Sequence, residues 1–313
     1  MTKIRWQLLL LKGAVSAGLL YLVSRHASTQ SISTAFSAIS IERASLALCV
    51  CFAVTLCVAF RWRTVTSVVV RPMRFSEGWA VTMIGAALDQ LLVTMSGEAY
   101  RIWWLRKGAQ SLAHAIAGVI LDRAVGMLGL VLLLAAFLPR FAVYDPTGSL
   151  LWLPAALVGT TVAMLILVLV LDRMPWRASR IGQFSVPIVM ASSARIVFLT
   201  PSVIVPALGA GILAHVGICL AMSVLAWACG ISLPFGLALT VIPPVMLVSL
   251  LPISIGGWGV REGAMVLALG LIGVQSAQAF VLSVSYGVIA AIIGATGGVV
   301  WLLGYPNSKS ASS

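Results

Sequence analysis

Only 9% of the residues are charged, against about 25% in a soluble domain. That shortage rules out a soluble enzyme and, despite a formal net charge of +12, a nucleic-acid binder. In so apolar a chain the basic excess serves the orienting bias of cytoplasmic loops and contact with anionic headgroups. Acids are scarcer still, eight in 313 residues, with no helical Asp-x-x-Asp array and no nucleophile beside a base. The three histidines, His26, His114 and His215, are far apart in the chain. Cys49, Cys51, Cys57, Cys219 and Cys229 all fall in apolar runs without metal-type spacing, as small core hydrophobes do. Neither a metal nor any other cofactor is expected. Gly257-Trp258-Gly259 is no dinucleotide fingerprint, because no strand precedes it and the later glycine is replaced by Glu262.

Hydrocarbon makes up the difference: 61% of the chain is hydrophobic and mean hydropathy is +1.09. The pattern predicts an all-α, polytopic helical membrane protein in one transmembrane domain. Full spans are expected in 6–23 (uncleaved, lacking a small-residue cleavage site), 44–60, 112–137, 150–171, within 203–229, and in 277–303. Arg61, Arg63, Arg71 and Arg74 read as a cytoplasmic basic loop, and Arg173, Arg177, Arg180 and Arg195 as another. Two further stretches, 77–107 and 236–272, read as re-entrant helical hairpins, the first because a plain crossing would leave Arg106 and Lys107 outside. Pro243-Pro244 is expected to break the second hairpin's first arm. About six full spans and two hairpins result. Three full crossings per half invert the second half, so 1–149 and 150–313 read as an inverted repeat with both termini cytoplasmic. Trp62, Trp79, Trp152 and Trp301 near span ends read as interface anchors.

The chain is organised around 252–262, where seven of eleven residues are polar, charged, Gly or Pro between two apolar runs. Irregular backbone at membrane depth is tolerated only inside protein or beside water, and an ionisable residue there is a functional candidate. Asp89, Glu98, Asp122 and Glu262, with Arg101, Arg123 and Arg261, lie in or beside such segments. Glu98 and Arg101 are three apart and share a helical face. Asp122-Arg123 and Arg261-Glu262 are adjacent and point about 100° apart, so each is expected to find partners elsewhere, such as Asp122 with Arg101 or Arg261. These ions either pin the hairpins to their neighbours or form a site. A guanidinium's planar fork suits phosphate or carboxylate, so Arg101, Arg123 and Arg261 are expected to face an anionic headgroup. Asp89, Glu98 and Asp122 are the candidate proton carriers. Gly256, Gly257 and Gly259 allow close backbone approach to a ligand.

Ser96-Gly97-Glu98-Ala99-Tyr100-Arg101, then Leu121-Asp122-Arg123 with Gly126, then Pro252, Ser254, Gly256, Gly257, Gly259, Arg261 and Glu262 carry a resemblance. Together they resemble the lysylphosphatidylglycerol synthase transmembrane region family, flippase-like proteins related to the lipid-flipping part of the multiple peptide resistance factor. The resemblance spans roughly 44–303. It departs at Val93-Thr94-Met95 with Asp89, where the family has a Leu-Pro-like approach to its first glycine motif. It implies passage of a lipid or lipid-linked headgroup, of anionic phospholipid, isoprenoid-linked or hopanoid type, across a bacterial inner membrane. It does not imply aminoacyl transfer, which belongs to a separate soluble domain not found in these 313 residues. Ser96, Gly97, Glu98, Asp122, Ser254 and Glu262 join the three arginines as substrate-binding candidates. The alternative is a membrane enzyme, or an accessory partner of a lipid-synthesis enzyme, acting on a lipid-linked substrate.

Overall fold

A lipid-embedded backbone must satisfy its polar groups within each segment, and the chain is accordingly helical. The structure, a computed structural model, describes residue 18 and residues 29–91, 96–107, 111–144, 148, 152–171, 186–249 and 258–304. Among these are α1 (Thr29–Ser37), α2 (Ile41–Val69), α3 (Phe75–Leu91), α4 (Ser96–Arg106), α5 (Leu112–Tyr144) and α6 (Trp152–Leu171). Then follow α7 (Val186–Leu199), α8 (Pro201–Ala228), α9 (Phe235–Ser249), α10 (Val260–Gly270) and α11 (Ser276–Leu302). Among the described residues, α2, α5, α8 and α11 are long and apolar enough to cross a membrane. The protein is a polytopic helical membrane protein. The expected first span, at 6–23, lies outside the described residues.

Several boundaries differ from the sequence reading. The expected span 44–60 is helix from Ile41 to Val69, so Arg61 and Arg63 are helical rather than part of a basic loop. The reason is electrostatic: Arg61 meets a buried carboxylate and the helix need not end for it. Residues 186–199, including Arg195, are helix where a loop was expected. Pro243 and Pro244 lie inside α9 without ending it, a correction to the broken arm. Trp62, expected at the interface, is fully buried, with its ring 6.0 Å from that of Trp104.

The short helices pair off. After α2 the chain turns back, held by Arg63 Nε donating to the Met73 carbonyl at 3.0 Å, and α3 descends beside it. Near the end of α4, Trp104 stacks on Trp62 and lies under the Arg71 guanidinium at 4.7 Å. The pair α3/α4 therefore starts and finishes at the C-terminal end of α2, where Arg71, Arg74, Arg106 and Lys107 gather. The pair α9/α10 uses the other end. Ser40 N–H donates to the Ala228 carbonyl at 2.9 Å, so α8 finishes where α2 begins. Ser223 Oγ, on α8, donates to the Leu233 carbonyl just before α9 at 2.7 Å.

Small residues set the closest approaches, as expected where hydrocarbon surrounds every helix and packing alone joins them. Helix α11 runs against α3 with Gly297 on the Met83 carbonyl and Gly294 on Ala86 and Ala87; a Cβ at Gly297 would overlap the Met83 backbone. Gly97 and Gly85 bring α4 onto α3 in the same way. The largest core joins α2, α8, α9, α10 and α11 through side chains such as Cys51, Met222, Leu225, Ile242 and Leu282.

Candidate functional site

Arg61–Asp122, Arg123–Glu98 and Arg261–Glu262 are buried or half-buried ion pairs among the described residues, each with a different construction. Arg61 of α2 reaches Asp122 of α5 with two parallel bonds, Nε to Oδ1 at 2.8 Å and Nη2 to Oδ2 at 3.2 Å. The side chains are 10% and 1% exposed. Asp122 was expected to meet Arg101 or Arg261; its partner is Arg61 instead, 61 positions upstream. Gly126, one turn beyond Asp122, leaves the space that the guanidinium fills. The carbonyl of Gly126 lies 3.0 Å from His215 Nε2 of α8.

The second pair joins α4 to α5. Arg123 Nε donates to Glu98 Oε1 at 3.1 Å, and Nη2 bonds the same oxygen. Asp122 and Arg123, adjacent in sequence, thus serve different partners on different sides of α5, as their helical angle requires. Glu98 is buried, and its Oε2 has no hydrogen-bond partner among the described residues. Nearby, Asp89 of α3 accepts from the Gly97 N–H at 2.9 Å. That bond ties the first turn of α4, where backbone donors are free, to the last turn of α3. Ser96 opens α4. Arg101, one turn on from Gly97, lies against Gly85, 5.9 Å from the Trp62 ring, and its Nε has no hydrogen-bond partner among the described residues.

The third pair corrects the expectation that adjacent ions cannot satisfy one another. Arg261 Nη2 and Nε donate to Glu262 Oε1 at 2.7 and 3.1 Å. Ser283 Oγ of α11 donates to the same oxygen at 3.2 Å. The other oxygen, Oε2, accepts the Gly259 N–H at 2.5 Å. Glu262 is fully buried and is the third residue of α10, so its carboxylate caps the helix it belongs to. Arg261 and Glu262 are therefore the first turn of α10 and not part of the turn before it. Gly259 has φ +90°, a conformation open to glycine and strained for side chains. The Arg261 guanidinium sits against the faces of Trp258 and Tyr286, at 4.9 and 5.6 Å, where Gly287 provides the clearance. Ser254, Gly256 and Gly257 lie outside the described residues.

A cavity of about 300 Å³ opens between these groups, lined by residues of α3, α5, α8, α9, α10 and α11. Arg123 of α5 and Arg261 of α10 border it, with Asp89, Gln90, Ser249 and Tyr286 as further polar groups and Met222, Met246 and Met265 as soft apolar wall. Of the residues singled out in the sequence, Arg123, Arg261 and Asp89 meet at this cavity; Arg101, Asp122, Glu98 and Glu262 do not line it, though the two glutamates hold its arginines. Gln90, Ser249, Ser283, Tyr286 and Arg61 were not anticipated. Ser249 and Tyr286 sit within apolar runs, where one hydroxyl raises no signal. Arg61 carried one, as a charge at the end of an apolar run, and it was read as loop. Among the described residues no group of His, Cys, Asp and Glu is placed to hold a metal.

The sequence matches the family described as "Lysylphosphatidylglycerol synthase TM region" over residues 9–298. No curated protein matches the chain.

Proposed function

The chain belongs to the Lysylphosphatidylglycerol synthase TM region family, and on that premise we propose that it is a flippase-like transporter moving a lipid or lipid-linked polar headgroup between leaflets. The observation that carries this reading is the shared cavity, bordered by Arg123 of α5, which Glu98 of the first short pair holds, and by Arg261 of the second short pair. Both arginines bond their glutamates through Nε and Nη2. Of a guanidinium's five donors, that leaves the Nη1 pair and the second Nη2 N–H, three in all, for an incoming phosphate. The glutamates then act as positioning residues that hold the guanidinium and temper its attraction. A site that must release its cargo on the far side needs such restraint.

In this reading the two halves, 1–149 and 150–313, are inverted copies. Support comes from the repeated order long, short, short, long: 29, 17, 11 and 33 residues in α2 to α5, then 28, 15, 11 and 27 in α8 to α11. Each 11-residue helix carries a glutamate at its third position, Glu98 and Glu262. The end bearing Arg71, Arg74, Arg106 and Lys107 faces the cytoplasm by the positive-inside rule. The short pairs are then re-entrant hairpins, one from each side, and the cavity between them opens alternately to each leaflet.

The test is leaflet exchange of headgroup-labelled lipids in proteoliposomes, with Arg123→Gln and the double variant Arg261→Gln/Glu262→Gln beside wild type. The double variant removes both buried charges together, which avoids stranding one of them. Wild type is expected to exchange faster than empty vesicles, and both variants, folded, to lose that excess. Wild-type exchange at the empty-vesicle rate, with and without a proton gradient, overturns the proposal.

A further inference from the structure

Beside the arginine-lined cavity lies a second, of about 290 Å³, between α2, α3, α8 and α11. The two share Asp89, Gln90, Ile218, Tyr286 and Ala290 in their walls, so they are neighbouring chambers of one space. Their chemistry differs. The first holds the two guanidinium groups. Beyond the shared boundary, the second is walled among the described residues by Cys51, Val54, Ala86, Ile289 and Ile293, with Thr55 the one hydroxyl among them. That hydroxyl is already engaged: it donates to the Phe52 carbonyl at 2.6 Å and accepts from Trp79 Nε1 at 3.2 Å. Water in a chamber needs two to four polar partners, and cavities without them stay dry or take apolar guests. The far wall offers none to spare.

We infer that this second chamber receives a hydrocarbon chain of the same lipid whose headgroup occupies the first, so that the lipid crosses with one chain inside the protein. The inference rests on the transport reading above and deepens it. The alternative, in which both chains stay in the bilayer while only the headgroup enters, leaves the apolar chamber without an occupant. The polar boundary formed by Asp89, Gln90 and Tyr286 then marks the junction between headgroup and chain. Ile218 and Ala290 line both chambers and give the chain a continuous apolar path.

The experiment uses the full chain in vesicles of phosphatidylethanolamine and phosphatidylglycerol, with a trace of phosphatidylglycerol bearing a diazirine midway along one chain. Illumination expels nitrogen, and the carbene inserts into the nearest bond, which peptide mass spectrometry locates. Adducts are expected on Ile289 and Ile293, only 5% and 8% exposed, as well as on outward-facing Leu213 and Leu220. Adducts confined to the outward-facing residues overturn the inference. A second arm fills the chamber with Ile293→Trp, a wall residue absent from the arginine cavity. Loss of the internal adducts and a fall in leaflet exchange of roughly ten-fold are expected, as overpacking blocks the guest. Exchange at the wild-type rate in a variant that has lost those adducts shows that the chain travels outside, and overturns the inference while leaving the transport reading intact. Internal adducts in a wild type that exchanges no lipid have the opposite meaning: the chamber is a chain site and the transport reading fails.

Discussion

Replacing Asp122 by alanine strands the Arg61 guanidinium inside the bundle. Both described hydrogen bonds of Arg61 go to Asp122, at 2.8 and 3.2 Å, and the two side chains are 10% and 1% exposed. Two unit charges about 4 Å apart attract by about 4 kcal/mol at an effective dielectric of 20. Removing one partner of such a pair costs about 3–5 kcal/mol, because the remaining charge keeps its desolvation without compensation. The expected loss for Asp122→Ala is therefore about 3–5 kcal/mol, a shift of roughly 10²–10⁴-fold in the folding equilibrium. The double variant Arg61→Leu/Asp122→Leu removes the problem along with the pair, and its expected stability lies between wild type and about 1–4 kcal/mol above it. Unfolding by SDS titration in mixed micelles, read through tryptophan fluorescence, measures both. Two results refute the reasoning: Asp122→Ala within about 1 kcal/mol of wild type, or a double variant as unstable as the single.

Gly297→Ala should destabilise by about 1–3 kcal/mol, since its methyl group meets the Met83 backbone. Gly298→Ala, with open space around the new methyl, should be neutral or stabilising by up to about 1 kcal/mol; the same titration compares the two. Glu262→Ala should lose about 3–5 kcal/mol by leaving Arg261 buried and unpaired. Glu262→Gln, which keeps an acceptor for the Gly259 N–H, should lose less, and equal losses count against the capping role.

The sequence was most legible where chemistry is local. Helical spans announce themselves through length and apolarity; the family's motifs pointed to Arg123 and Arg261, and a charge inside an apolar run pointed to Asp89, and the three border one cavity. Pairing was far less legible. Asp122 and Arg61 lie 61 positions apart, and in a membrane protein every helix face is apolar, so periodicity does not say which face turns inward. The reading of Arg61 as loop followed from treating each arginine as a mark of water; a buried carboxylate three helices on reversed it. Arg261 and Glu262 were thought too divergent to bond. A guanidinium on a long stem folds back to its neighbour when an aromatic pair, Trp258 and Tyr286, walls off the other direction. The backbone contact at Gly297 was encoded only as a missing side chain.

That contact bears on how the protein could move. Gly297 presses α11 onto the Met83 backbone of α3, and Gly294 meets Ala86, Ala87 and the Gln90 stem one turn away, so the seam has little side-chain cushion to slide on. Helix α11 closes the chain's second half, while α3 opens the first short pair, so the seam stitches the two halves across the molecule. Rocking of one half against the other at the chain's midpoint would tear it. In the proposed transport cycle the gate then hinges elsewhere, with α3 and α11 travelling as one beam together with α4, which Gly85 and Gly97 join to α3 in the same way.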